Sequence, residues 1–155
     1  MKKISQWLST EQINLNLTAD SELEALLAIL TVVEQCGHVS NMKQLAREIL
    51  HHEVVAPSPE GCCSVVFRLL TDTVSAAGIY FGRFQKGIGY YARSGHPIDL
   101  IALVTAPPEM ALEFHYVVKR LSEVLCEPDV TEHLREAKLT EDVMQIFSNS
   151  KINDD

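Results

Sequence analysis

Any chemistry in this chain must come from its cysteines, its histidines and a few cations. In "PSPEGCCSVVFRLL", residues 57–70, adjacent Cys62 and Cys63 follow a lone glycine, Gly61, and lead into a run of apolar β-formers. A thiolate there would be a nucleophile or a redox sensor, provided that a nearby base or cation lowered its pKa. Cysteine is also among the residues most often buried, and packing beside a core strand is the simpler reading. Cys36, His38, His51 and His52, with that pair, offer thiolate and imidazole ligands for zinc, yet their spacing fits no closed zinc motif. The four cysteines, Cys36, Cys62, Cys63 and Cys126, have no disulfide-framework spacing, and adjacent cysteines bridge each other poorly. Free thiols in a reducing compartment are therefore expected. Of the other histidines, His115 with Lys119 one turn later reads as the solvated flank of a helix, and His96 in "SGHP" as a turn residue. His51 and His52 close a helix, where a cation near the last carbonyls is mildly favourable. Arg68 is a guanidinium inside an otherwise apolar strand. It pairs a structural carboxylate or binds an anion.

The elements that must position these groups follow from periodicity. "INLNL" alternates Ile13, Leu15 and Leu17 as a half-buried strand does. "DSELEALLAILTVVEQCG" carries Leu23, Leu26, Leu27, Leu30 and Val33 at helical spacing, with Asp20 as N-cap and Gly37 as stop. A second helix, capped by Ser40, holds Met42, Leu45 and Ile49 on one face. Four short β-rich runs come next: "SVVFRLL", "AAGIYFGRF", "GIGYYAR" and "DLIALVT". Pro107 and Pro108 end the last of them. Three helices complete the chain: one striped by Phe114, Val117, Val118, Leu121 and Leu125, one after Pro128, and one capped by Thr140. This order implies an α/β fold, an α/β/α sandwich with a central mixed sheet.

The 155 residues, 46% hydrophobic and 22% charged, suit one domain burying roughly 70% of the surface its unfolded chain exposes. The domain is expected over residues 1–147, with a flexible tail over 148–155. A net charge of −8 without a cationic cluster disfavours nucleic acid as a partner. No apolar stretch is long enough to insert into a bilayer. "MKKISQWLSTEQ" lacks the apolar core of a secretory signal, so a cytoplasmic location is expected. No cofactor is implied, and a homodimer stays open.

Several segments together resemble the type-2 IIA domain of the bacterial phosphoenolpyruvate-dependent phosphotransferase system, of the fructose, mannitol and nitrogen-regulatory kind. They are "ISQWLS" with its following strand, "LLAILTVVEQCGHVSNMKQLAREILHHE", "GHPIDLIALVTAP" and "VVKRLSEVLCEPDVTEHLREAKLTEDVMQIF". Their order and approximate spacing are the family's over almost the whole chain. The resemblance implies the phosphotransferase/anion transport protein-like fold. It also implies a glycine-rich loop and a strand ending Ile-Pro-His, whose histidine takes phosphate from a small carrier and passes it on. An imidazole serves because it is both nucleophile and leaving group at neutral pH.

Here the pattern departs from the family. Counting forward from "ILHHE" puts Arg68 at the phosphoacceptor position, and counting back from "AAGIYF" puts Phe67 there. The glycine-rich loop is reduced to Gly61, and the family's second histidine falls on Phe114, with His115 beside it. The resemblance then implies a degenerate IIA-like protein that regulates by binding a protein partner. That partner would be a transporter, a sensor kinase, a metabolic enzyme or the system's own phosphocarrier. Arg68, Phe114, His115 and Tyr116 are its candidate binding residues, and Phe67 would join the rings in an exposed aromatic patch. Two alternatives stand beside it: phosphate transfer on His115, and small-anion sensing by Arg68.

Overall fold

The computed structural model describes residues 4–51, 62–88 and 97–150. Four strands form one mixed sheet: β1 (Ile13–Leu17), β2 (Ser64–Leu70), β3 (Gly78–Ile88) and β4 (Ile98–Ala106). Their order across the sheet is β1-β3-β4-β2, with β1 parallel to β3, β3 antiparallel to β4, and β2 parallel to β4. The expected run "SVVFRLL" is β2 to the residue. The second β-rich run lies in β3, which passes through Gly82 and takes in Gly87 and Ile88, the first two residues of the third run. The remainder of "GIGYYAR", and His52, Gly61 and His96, lie outside the described residues.

Helices α1 (Glu22–Cys36) and α2 (Met42–His51) cover one face of the sheet, burying Ala25, Ile29, Val33, Leu45 and Ile49 against Val65, Phe67, Tyr80 and Leu103. On the other face, α3 (Ala111–Val124), α4 (Pro128–Glu136) and α5 (Thr140–Asn149) bury Phe114, Val117, Leu121, Leu134, Val143 and Phe147 against Val66, Ile79, Phe81 and Leu100. The expected sandwich is thus formed, with a core on each side of the sheet. Phe81 meets Phe147 edge to face at 5.7 Å. Within β1 the alternation slips. Ile13 and Leu15 face α5, while Leu17 crosses to the α1 side through an irregularity between Asn14 and Leu17. A Cβ on Gly82 of the neighbouring strand would run into Leu17, so glycine makes the crossing possible.

Helix ends differ from expectation by about one residue. The N-cap of α1 is Ser21, whose Oγ accepts from Glu24 N at 3.1 Å, instead of Asp20. Asn41 caps α2 through its bond from Gln44 N, because Ser40 is drawn away to Thr73 O. Thr140 is the first helical residue of α5, and Asp142 accepts from Leu139 N ahead of it. Helix α5 continues through Ser148 and Asn149, the first two residues of the stretch expected as a tail. On α1 the buried stripe is Ala25, Leu26, Ile29, Leu30, Val32 and Val33, which leaves Leu23 and Leu27 exposed.

One cation ties the layers together. Arg83 of β3 donates from Nε to Leu15 O at 3.2 Å, and from Nη1 to the carbonyls of Leu134, Arg135 and Ala137 at 2.9, 3.0 and 2.6 Å. The last carbonyls of α4 have no partner inside their own helix, and the guanidinium satisfies them. Arg83→Met keeps the aliphatic stem and strands these acceptors. It is expected to cost about 2–3 kcal/mol, read as a lower urea midpoint at unchanged slope.

Candidate functional site: the β2–α3 face

Strand alternation decides which side chains of β2 can meet α3. Phe67 shares its side with Val65 and Leu69, in the core under α1 and α2. Arg68 shares its side with Val66 and Leu70, which belong to the α3 core. Phe114 lies in that same α3 core. Phe67 and Phe114 are therefore separated by the sheet, and only Arg68 can share a surface with α3.

Burial corrects the expected aromatic patch. Phe67 and Phe114 are 1% and 2% exposed, so neither can present a ring to a partner; each fills its own core. Phe114 leaves the candidate binding set for that reason. Its ring meets the His115 imidazole edge on at 5.4 Å. His115 itself is exposed, Tyr116 is half-buried against the α3 core, and Arg68 is half-buried. Leu112, which sequence reasoning did not single out, is the most exposed large apolar residue among those described, at 85%. Leu112, His115, Tyr116 and Lys119 fall at i, i+3, i+4 and i+7, so they share a face of α3. The available signal was a leucine off the Phe114/Val117/Val118/Leu121 stripe.

The cysteines also depart from expectation. Cys62 and Cys126 form a disulfide, with a Cα–Cα distance of 5.2 Å, that joins the start of β2 to the end of α3; Cys36 and Cys63 remain thiols. Folding brings residues 64 apart in sequence together there, a pairing that spacing alone does not reveal. Ser64 Oγ donates to Leu125 O at 3.0 Å beside the bond. The Cys63 carbonyl accepts from Asp99 N at 3.1 Å, and Asp99 forms a two-point ion pair with Arg135 at 2.5 and 3.1 Å. This pairing with Asp99 raises the Arg135 pKa above its usual value against the opposing effect of burial, with a smaller upward contribution from Cys63. Burial, then Glu11, likewise pushes the Cys36 thiol up. Among the described residues no three His, Cys, Asp or Glu side chains gather to hold a metal ion, and no helix is long and apolar enough to cross a membrane.

The layered sheet with α3 beside β2 defines a IIA-type α/β protein. The chain belongs to the family described as phosphoenolpyruvate-dependent sugar phosphotransferase system, EIIA 2, whose model matches residues 6–150. It is 25% identical over 147 residues to the PTS system fructose-specific EIIABC component of Bacillus subtilis (strain 168), covering 94% of this chain and 23% of that protein. The chain thus spans about a quarter of that curated relative's length. Among solved structures it resembles the nitrogen regulatory protein IIA-Ntr of Neisseria meningitidis, with a TM-score of 0.76 at 21% identity over 93% of this chain and 98% of that one. It also resembles IIA mannitol of Escherichia coli, with a TM-score of 0.67 at 20% identity over 90% and 97%. The E. coli protein is seen as well in a complex of enzyme IIAMTL with phosphorylated enzyme IIBMTL, with a TM-score of 0.67 at 20% identity over 92% and 97%. At these identities the structural likeness is one of fold.

Proposed function

We propose that this protein is a IIA-type module that works by binding a protein partner through the β2–α3 face and does not relay phosphate. One observation carries the reading: β2 and the chain onward to β3, residues 64–78, contain no histidine, and of the two acceptor positions, Phe67 and Arg68, β2 turns Arg68 to the α3 side. A guanidinium is neither nucleophile nor leaving group for a phosphoryl unit. A mixed surface of Leu112, His115, Tyr116 and Arg68 has the apolar and arginine character of protein interfaces. A phosphorylated IIB enzyme is the partner in the E. coli IIAMTL complex, and a partner of that kind, a transporter component, fits here beside a sensor kinase or a metabolic enzyme. A cytoplasmic site of action goes with this reading, and there the Cys62–Cys126 bond would meet a reducing environment.

Incubation with phosphoenolpyruvate, the first enzyme of the system and its histidine-containing carrier is expected to leave the intact mass unchanged. An acid-labile gain of one phosphoryl group would overturn the proposal. A second reading, transfer on His115, has one observation in its favour: that imidazole is exposed on α3, the helix packed against β2. Loss of a phosphoryl gain in His115→Gln would establish it. For the binding face, Arg68→Glu with His115→Glu is expected to abolish capture of the partners that the wild-type chain retains. Equal retention by both would move the working surface elsewhere.

A further inference from the structure

On the sheet end where β3 begins lies a cleft of about 420 Å³ that the proposed partner face does not use. Its walls are the first 3-10 turn (Ile4–Trp7), the α1–α2 connection and the start of β3. Gly37, with φ +72°, ends α1 in the left-handed conformation and turns His38 to the rim. The following residues are clamped in place. Val39 pairs with Val74, and Ser40 donates to Thr73 O from both N and Oγ, at 2.8 and 3.0 Å. Beneath, the Gln12 amide donates to Trp7 O at 3.1 Å and Ile79 O at 2.6 Å while accepting from Ser9 Oγ at 2.7 Å. The cleft is therefore preformed, and its volume is within the range of small-molecule sites, roughly 300–1,000 Å³.

Two buried polar groups on its lining are left short of partners. Trp7 is 4% exposed, and its indole Nε1–H has no acceptor among the described residues. Tyr80 is 1% exposed, and its hydroxyl reaches His38 Nδ1 only at 3.5 Å, longer than a good O–H bond. An oxygen bridging Tyr80 and His38 at ordinary bond lengths would serve both groups better than this long direct contact. Burial, with a smaller contribution from Cys36, pushes the Tyr80 pKa up to about 12, so the phenol keeps its proton near neutral pH. Among the described residues the lining holds no aspartate, glutamate, lysine or arginine. A charged ligand would shed hydration there with no counter-charge to replace it.

We propose that this cleft is a binding site for a small neutral polyhydroxy compound, with one ligand hydroxyl shared by Tyr80 and His38 and others met by Ser9 and Ser75. The inference is independent of how the β2–α3 face works. Trp7 is the only tryptophan of the chain, so its emission reports on the cleft. The full chain is titrated with sorbitol and with glucose, and with glucose 6-phosphate and citrate as charged comparators, following Trp7 fluorescence and heat. The neutral probes are expected to saturate with a dissociation constant of order 1 mM and the charged ones to bind about tenfold more weakly. His38→Ala, on an exposed connection, and Tyr80→Phe, which keeps the ring, should each weaken the neutral probes about tenfold with an unchanged circular dichroism spectrum. The proposal is overturned by an absence of saturation at concentrations about tenfold above that constant, which would mean a cleft holding water only. Equal binding of the charged probes, or unchanged affinity in both variants, would overturn it as well.

Discussion

Reduction of the Cys62–Cys126 bond is expected to lower the stability of this protein by about 4 kcal/mol, the loop-closure value for its 64-residue separation. The bond joins Cys62, two positions before β2 begins at Ser64, to Cys126, two positions after α3 ends at Val124, so it links the two elements that carry the proposed partner face. The native contact does not depend on it alone. Ser64 Oγ still donates to Leu125 O, and Val66 still packs with Phe114, Val117 and Leu121. The reduced protein should therefore keep its fold while unfolding at lower urea, with a somewhat larger slope because the unfolded chain, released from the cross-link, exposes more surface. Cys62→Ser with Cys126→Ser should match the reduced wild type, separating the bond from side effects of the reductant. Thiol titration of the unfolded, unreduced chain should find the thiols of Cys36 and Cys63 only. Titration of all four cysteines, or a stability change below about 1 kcal/mol, would contradict the expectation.

Phe114→Ala should cost about 3–5 kcal/mol, the range for deleting a fully buried ring. Phe114 is 2% exposed and packs in one core with Val66 of β2 and with Val117, Val118 and Leu121 of its own helix. Its neighbour separates the two roles: His115→Ala, on the exposed side of the same helix, should stay within about 0.5 kcal/mol of wild type. Urea unfolding of the pair decides the matter. A cost below about 1 kcal/mol at Phe114 would mean that the ring does not hold α3 to the sheet and that it belongs with the surface residues after all.

Much of the framework was legible because it depends on neighbours in sequence. The β-branched run of Ser64–Leu70 and the buried α3 stripe of Phe114, Val117, Val118 and Leu121 match their expected positions. Periodicity and local turn chemistry act over a few residues, and the chain displays them directly. The candidate site was less legible. Alternation says that Phe67 and Arg68 point opposite ways, but not which helix lies on which side; only the layered packing places Arg68 with α3 and hides Phe67 under α1 and α2. The five-residue stripe read on α1 included Leu23 and Leu27, whereas the sheet selects the face through Ala25 and Ile29. A helix this rich in leucine and isoleucine offers overlapping apolar stripes, and the docking partner chooses between them.

The amino-acid sequence by itself determined the order and type of most of the elements, the family and the absence of histidine from residues 64–78. The tertiary structure alone decided the Cys62–Cys126 pairing, the burial of Phe114 beside an exposed His115, and the meeting of Trp7, His38 and Tyr80 around one cleft. Each of these joins or separates side chains through the register and layering of the sheet. Contacts between residues far apart in sequence carry no local signal, because they are set by how complementary faces bury one another once the chain has collapsed.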